Sequence, residues 1–135
     1  MKWIYGRQDW KTLERGLENC YLLTNGLGGF SSLTMTGAVA RNDHSVFMSC
    51  TKAPNHRINM IHRMKEELDI GESKYVLSTQ EFADGTKEEG YRYLTEFSFE
   101  ILPSWRYLIN GIEIEKEIVM AQGSNQIAVN YHMKN

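Results

Sequence analysis

The chain has 135 residues, 15 basic and 17 acidic, for a net charge of -2. That length suits one core and one domain, and near-neutrality removes the basic footprint that nucleic acid requires. No apolar run reaches the roughly 18 residues of a membrane span, and none of signal-peptide length opens the chain; the expected compartment is the cytoplasm, where Cys20 and Cys50 would stay reduced.

In chain order, Asp9 is a candidate cap for a helix over Trp10–Asn19, with Leu13 and Leu17 four apart on one face and Gly16 weakening the run. Cys20–Leu23 reads as a brief strand. It leads into Asn25-Gly26-Leu27-Gly28-Gly29, where three glycines in four positions follow a turn-forming Asn. The backbone must bend sharply there. A nucleotide loop is the obvious alternative, but Ser31 occupies the last glycine position of G-x-G-x-x-G. The Ser32–Gly37 stretch that follows is poor in helix formers, and no Gly-Lys-Ser/Thr appears. The bend is therefore read as a corner in a β protein.

From Leu33 onward the period is two. Val46, Met48 and Cys50 share a face within Ser45–Thr51, and Ile58, Met60, His62 and Met64 share one in the next run, where helix fits about as well and strand is preferred because its neighbours are strands. Tyr91, Tyr93, Phe97, Phe99 and Ile101 alternate with polar residues, as do Ile112, Ile114, Ile118 and Met120, then Ile127, Val129, Tyr131 and Met133. Ala83-Asp84-Gly85, Asn110-Gly111 and Gln122–Asn125 supply turns, and Asn110-Gly111 suits a type I′ hairpin joining Trp105–Ile109 to Ile112–Met120. The fold class expected is all-β, an antiparallel β-sandwich in a single domain over residues 1–135.

Chemistry is sparse. His44, His56, His62 and His132 are scattered, with no Cys-x-x-Cys and no helical His pair, so neither a metal nor another cofactor is called for. Glu113, Glu115 and Glu117 line one strand face at roughly 7 Å spacing, which falls within the range of an inverting carboxylate pair but is also what any wet strand face looks like. Lys116 breaks the apolar face between Ile114 and Ile118; it either snorkels to the sheet edge or pairs with a buried carboxylate. Glu66-Glu67 and Glu88-Glu89 read as surface charge. No thiol or Ser sits in a nucleophile motif. Trp105, Tyr107, Tyr91 and Tyr93 gather around Pro103–Tyr107, where aromatic rings either fill a core or stack on sugar.

Leu23-Thr24-Asn25-Gly26-Leu27-Gly28-Gly29-Phe30-Ser31-Ser32 resembles the opening motif of the N-terminal domain of bacterial and archaeal-type glycogen debranching enzymes, the amylo-α-1,6-glucosidase family. The likeness continues in order through Thr36-Gly37-Ala38, Arg41, His44, Pro54, Arg57, Glu66-Glu67, Asp84-Gly85, Gly90-Tyr91, Phe97, Pro103, Trp105, Tyr107, Glu115-Lys116, Gly123, Asn125 and Tyr131. Asn42-Asp43-His44-Ser45 departs from the family's Arg-Tyr-His-Gly, and Gln126 from its usual Thr. The resemblance implies a galactose-mutarotase-like supersandwich, here partial, and a partner: a C-terminal (α/α)6 barrel that carries the hydrolytic carboxylates. It also implies a truncated domain or a short relative, inactive alone, with strand edges open to self-association. Candidate contacts to α-glucan (glycogen or maltooligosaccharide) or to the barrel are Asn25, which would shape the bend, Arg41 and His44, which would donate hydrogen bonds, and Tyr91, Trp105 and Tyr107, which would stack. A structural domain without ligand and a mutarotase-like epimerase are the alternatives; the latter needs His132 or His62 within reach of a Glu.

Overall fold

The computed structural model describes residues 1–52 and 56–135; Pro54, one of the residues carrying the resemblance, lies outside them. Thirteen strands are present among the described residues, and no α-helix. They are β1 (Trp3–Gly6), β2 (Leu23–Thr24), β3 (Phe30–Ser32), β4 (Ser45–Lys52), β5 (His56–Ile61), β6 (Glu67–Ile70), β7 (Ser73–Val76), β8 (Thr79–Glu81), β9 (Lys87–Glu89), β10 (Leu94–Phe99), β11 (Pro103–Ile109), β12 (Ile112–Met120) and β13 (Ile127–Lys134). One sheet runs β1-β10-β11-β12-β13 and a second runs β2-β3-β4-β5, while β6-β7 and β8-β9 are small two-stranded sheets. All described pairings between strands are antiparallel. The core lies between the two larger sheets, where Tyr21, Leu33, Met35 and Val46 meet Phe97, Trp105, Tyr107, Ile114 and Ile118. The molecule is an all-β sandwich, as its alternation predicts.

Strand β12 follows the period-two rule without exception: Ile114, Lys116, Ile118 and Met120 point inward and are buried. The hairpin before it closes at Ile109↔Ile112, with Asn110 at φ 49° and Gly111 at φ 80°. Two successive positive φ values are what a type I′ turn demands, and Asn-Gly supplies them cheaply. The Ile58–Met64 run is strand rather than helix, as β5, and it ends at Ile61.

Other expectations fail for identifiable reasons. Trp10–Asn19 is not a helix; 3-10 turns occupy Arg7–Trp10 and Arg15–Leu17. Tertiary contacts override the local pattern here. The Trp10 indole N–H donates to Leu94 O at 3.1 Å, Leu13 is buried, and Gly16 is packed so closely that a Cβ would stand 2.6 Å from Thr36 Cγ2. Asp9 accepts from the Gly6 N–H behind it rather than starting a helix ahead. In β10 the register shifts between Leu94 and Glu96, so that Leu94 and Phe97 both face inward. A bulge changes the parity of the alternation; Ile101, expected on the dry face, lies beyond the strand's end at Phe99 and is exposed. Val46 and Phe47 in β4 are both buried, and the strand shifts register twice against β5.

Candidate functional site

The glycine corner is held from inside by one side chain. Asn25 is fully buried. Its Oδ1 accepts from the N–H groups of Leu27 (2.9 Å) and Gly29 (3.1 Å), and its Nδ2 donates to Ser124 O (3.2 Å) and Asn125 Oδ1 (3.1 Å). The Gly123 N–H donates to Asn25 O at 2.8 Å, and Gln122 Nε2 donates to Thr24 O at 2.6 Å. The corner between β2 and β3 is thereby tied to the turn between β12 and β13, across about a hundred residues of sequence. Glycine is required at two positions for different reasons. Gly28 has φ 90°, and a Cβ on Gly29 would lie 2.7 Å from Asn25 Nδ2 and 2.9 Å from Met48 O.

His44 organises a second corner, ahead of β4. Its buried Nδ1 accepts from the N–H groups of Ala40 (2.9 Å) and Arg41 (3.2 Å). Nδ1 is therefore an acceptor that carries no proton, which leaves the neutral ring's N–H at Nε2. Burial first, and the Arg41 guanidinium second, hold its pKa below the usual imidazole value, with Asp43 opposing them. Arg41 itself is exposed.

Between the corners lies a cleft of about 680 Å3. Gly26, Gly28 and Gly29 leave part of its wall bare of side chains, Phe30 contributes a ring, and Asp43 and Arg57 contribute opposite charges. Arg57 Nε donates to Gly28 O at 3.0 Å, which holds its guanidinium 5.7 Å from the Phe30 ring centre.

The remaining candidates lie elsewhere. Trp105 bridges the two sheets from the core: its indole N–H donates to Met35 O at 2.8 Å and its ring packs on Tyr21 and Phe97. Tyr107 is equally buried, with its phenol pKa pushed up by burial and by nearby Glu66. Neither ring has a free face for a sugar. Tyr91 is half-buried on the 3-10 turn Gly90–Arg92 and donates to Glu89 Oε2 at 3.3 Å. It precedes Leu94, at the sheet end marked by the pair Leu94↔Tyr107, whereas Asn25 clasps the turn beyond Met120 at the other end. Tyr91 therefore does not join the corner residues.

A family model described as the N-terminal domain of glycogen debranching enzyme matches residues 19–135. The chain belongs to this family. No curated protein and no solved structure matches it. Within the debranching-enzyme domain, sequence reasoning missed one cluster. Lys116 pairs with Glu66 at 2.9 Å, and the Tyr131 hydroxyl donates to the same carboxylate oxygen. Lys116 Nζ also lies 4.8 Å from the Trp105 ring centre. Glu66 is thus a buried partner, not surface charge. Glu88 likewise accepts from Arg63 and, at 2.9 Å, from Ser78 Oγ. The only signal for Glu66 in the sequence was the unexplained Lys116, which called for a carboxylate without naming one.

Among the described residues no group of three or more His, Cys, Asp or Glu could hold a metal, and no helix is long and apolar enough to cross a membrane. His62 Nδ1 meets Asn59 Nδ2 at 3.1 Å, and His132 stands opposite Glu115 in register. Among the described residues neither histidine hydrogen-bonds a carboxylate, so the pair an epimerase needs is not assembled.

Proposed function

We propose that this domain is a non-catalytic glucan-recognition and scaffold module of a cytoplasmic amylo-α-1,6-glucosidase, with hydrolysis of the α-1,6 branch carried out by an (α/α)6 barrel. The observation that carries the reading is the cleft between the glycine and His44 corners. A pyranose offers an apolar face of C–H groups and a rim of hydroxyls. Phe30 provides a ring for the face, and Arg57 and Asp43 provide a donor and an acceptor for the rim. The bare glycine wall lets the ligand approach backbone. Of the residues singled out from sequence, Asn25 keeps the wall in shape, and Arg41 and His44 flank Asp43.

The test is calorimetric titration of maltoheptaose into the whole chain. Binding should be measurable at millimolar sugar, and Arg57→Ala should weaken it about tenfold, the worth of a charged hydrogen bond. No heat at that concentration would dispose of the recognition role. A second reading, a ligand-free docking domain, is favoured by Ile58 and Met60, which are 49 % and 58 % exposed on the edge strand β5. A stable dimer in light scattering, combined with no sugar affinity, would favour it.

A further inference from the structure

We propose that the glucan site extends into a second cleft, floored by aromatic rings, so that the domain holds a run of consecutive α-linked glucose units rather than a single ring. The inference rests on the glucan reading above and adds the ligand's length and its path.

The second cleft has a volume of about 280 Å3 and shares Cys20, Tyr21 and Leu22 with the larger one, so the two adjoin along one stretch of chain. Its far wall is Trp3 and Tyr5 of β1, and Phe99 of β10 lies beside them in register, as Trp3↔Phe99. Tyr5 packs on Phe97 at 6.2 Å, and Tyr21 packs on Phe99 at 6.3 Å with the rings 28° apart. The floor is therefore built in advance, which lowers the ordering cost of binding. Trp3, a large apolar ring, stands at its edge 56 % exposed.

The charge pattern selects the ligand class. Among the described residues no Lys, Arg, Asp or Glu lines the second cleft, and in the first the two charged residues, Arg57 and Asp43, are of opposite sign. A polyanion, or an acidic or basic peptide, would meet one like charge for its one opposite charge in the first cleft and none in the second. A neutral polyhydroxyl chain meets rings for its apolar faces and leaves its hydroxyls toward water. Trp3, Ile4 and Tyr5 precede the residues matched by the family, 19–135, so this wall is supplied by a segment outside the matched domain.

The test compares maltotriose with maltohexaose by calorimetry, using the full chain, Trp3→Ala and Trp3→Phe. In the unmodified chain the longer sugar should bind about tenfold more tightly, the worth of one stacking platform. Trp3→Ala should remove that gain and leave maltotriose unchanged, and Trp3→Phe should restore most of it. Indole emission from Trp3 should shift to the blue with maltohexaose only. If Trp3→Ala keeps the full length dependence, the second cleft is overturned while the glucan reading stands. If the unmodified chain binds neither sugar, both fall together. If Trp3→Ala weakens both sugars equally, the two clefts are not successive subsites and the proposal is overturned.

Discussion

The five-stranded sheet and the glycine corner keep their shapes by different means. In the sheet, Trp105, Tyr107, Ile114 and Ile118 are almost completely removed from water, and non-directional apolar burial dominates. In the corner hardly an apolar side chain is buried; Leu27 is exposed, and direction comes from the hydrogen bonds of Asn25 and from glycine φ values. The sheet should therefore tolerate changes that conserve volume and fail on unpaired charge, while the corner should be sensitive to single polar atoms. The same division runs through the proposed site, since the larger cleft is walled by the glycine corner on one side while Tyr21 joins it to the core.

The sharpest way to break this contrast lies at the sheet's one polar intrusion. Glu66→Ala would strand the Lys116 ammonium, only 4 % exposed, without its carboxylate. Removing one partner of a buried pair costs about 3–5 kcal/mol, so urea unfolding should show a larger loss than any single change at the glycine corner. Replacing both, as Glu66→Leu with Lys116→Met, should recover most of that loss, because an apolar pair leaves no charge behind. If the double variant is as unstable as the single one, the sheet depends on this ion pair and not on burial.

At the corner, Asn25→Ala removes two acceptor contacts and two donor contacts together, leaving the Leu27 and Gly29 amides unsatisfied. The expected cost is about 2 kcal/mol, with faster hydrogen exchange at Leu27, Gly29 and Gly123 and little change in β11. Asn25→Asp keeps the acceptor and loses the donor, so it should release the Ser124 turn while protecting Leu27 and Gly29. Equal exchange in both variants would mean that the glycines alone fix the bend.

The two regions also differ in how far sequence reveals them. The sheet is legible because β12 and its hairpin obey local rules: Ile114, Ile118 and Met120 alternate with Glu113, Glu115 and Glu117, and Asn110-Gly111 names its own turn. Legibility stops where a bulge changes parity, as at Leu94/Glu96, and where long-range packing sets the backbone, as at Trp10 and Gly16. The corner was visible as a bend, but its clasp was not. Asn25 and Ser124 are 99 positions apart, and nothing local links them. Trp105 shows the converse: its motif context pointed to sugar, while its burial and its bond to Met35 O make it core. An aromatic residue on a period-two face reads the same in sequence whether its face is covered or open.

The mildest test concerns His44. Its Nδ1 accepts from two backbone N–H groups, so protonation there would set a third proton against two donors. Burial and Arg41 both disfavour the cation, and the folded-state pKa lies below the ordinary 6.5. The unfolded chain therefore binds a proton that the folded chain refuses, and stability must rise with pH through this window. The contribution is complete above pH 6.5 and is lost as pH falls below it toward the lowered folded value. Urea midpoints measured at about pH 7.5 and about pH 5.5, on either side of the ordinary imidazole value, should decline at the lower pH, and His44→Asn should flatten that decline. An unchanged decline in the variant would assign the effect to other groups and leave the His44 corner held by its backbone alone.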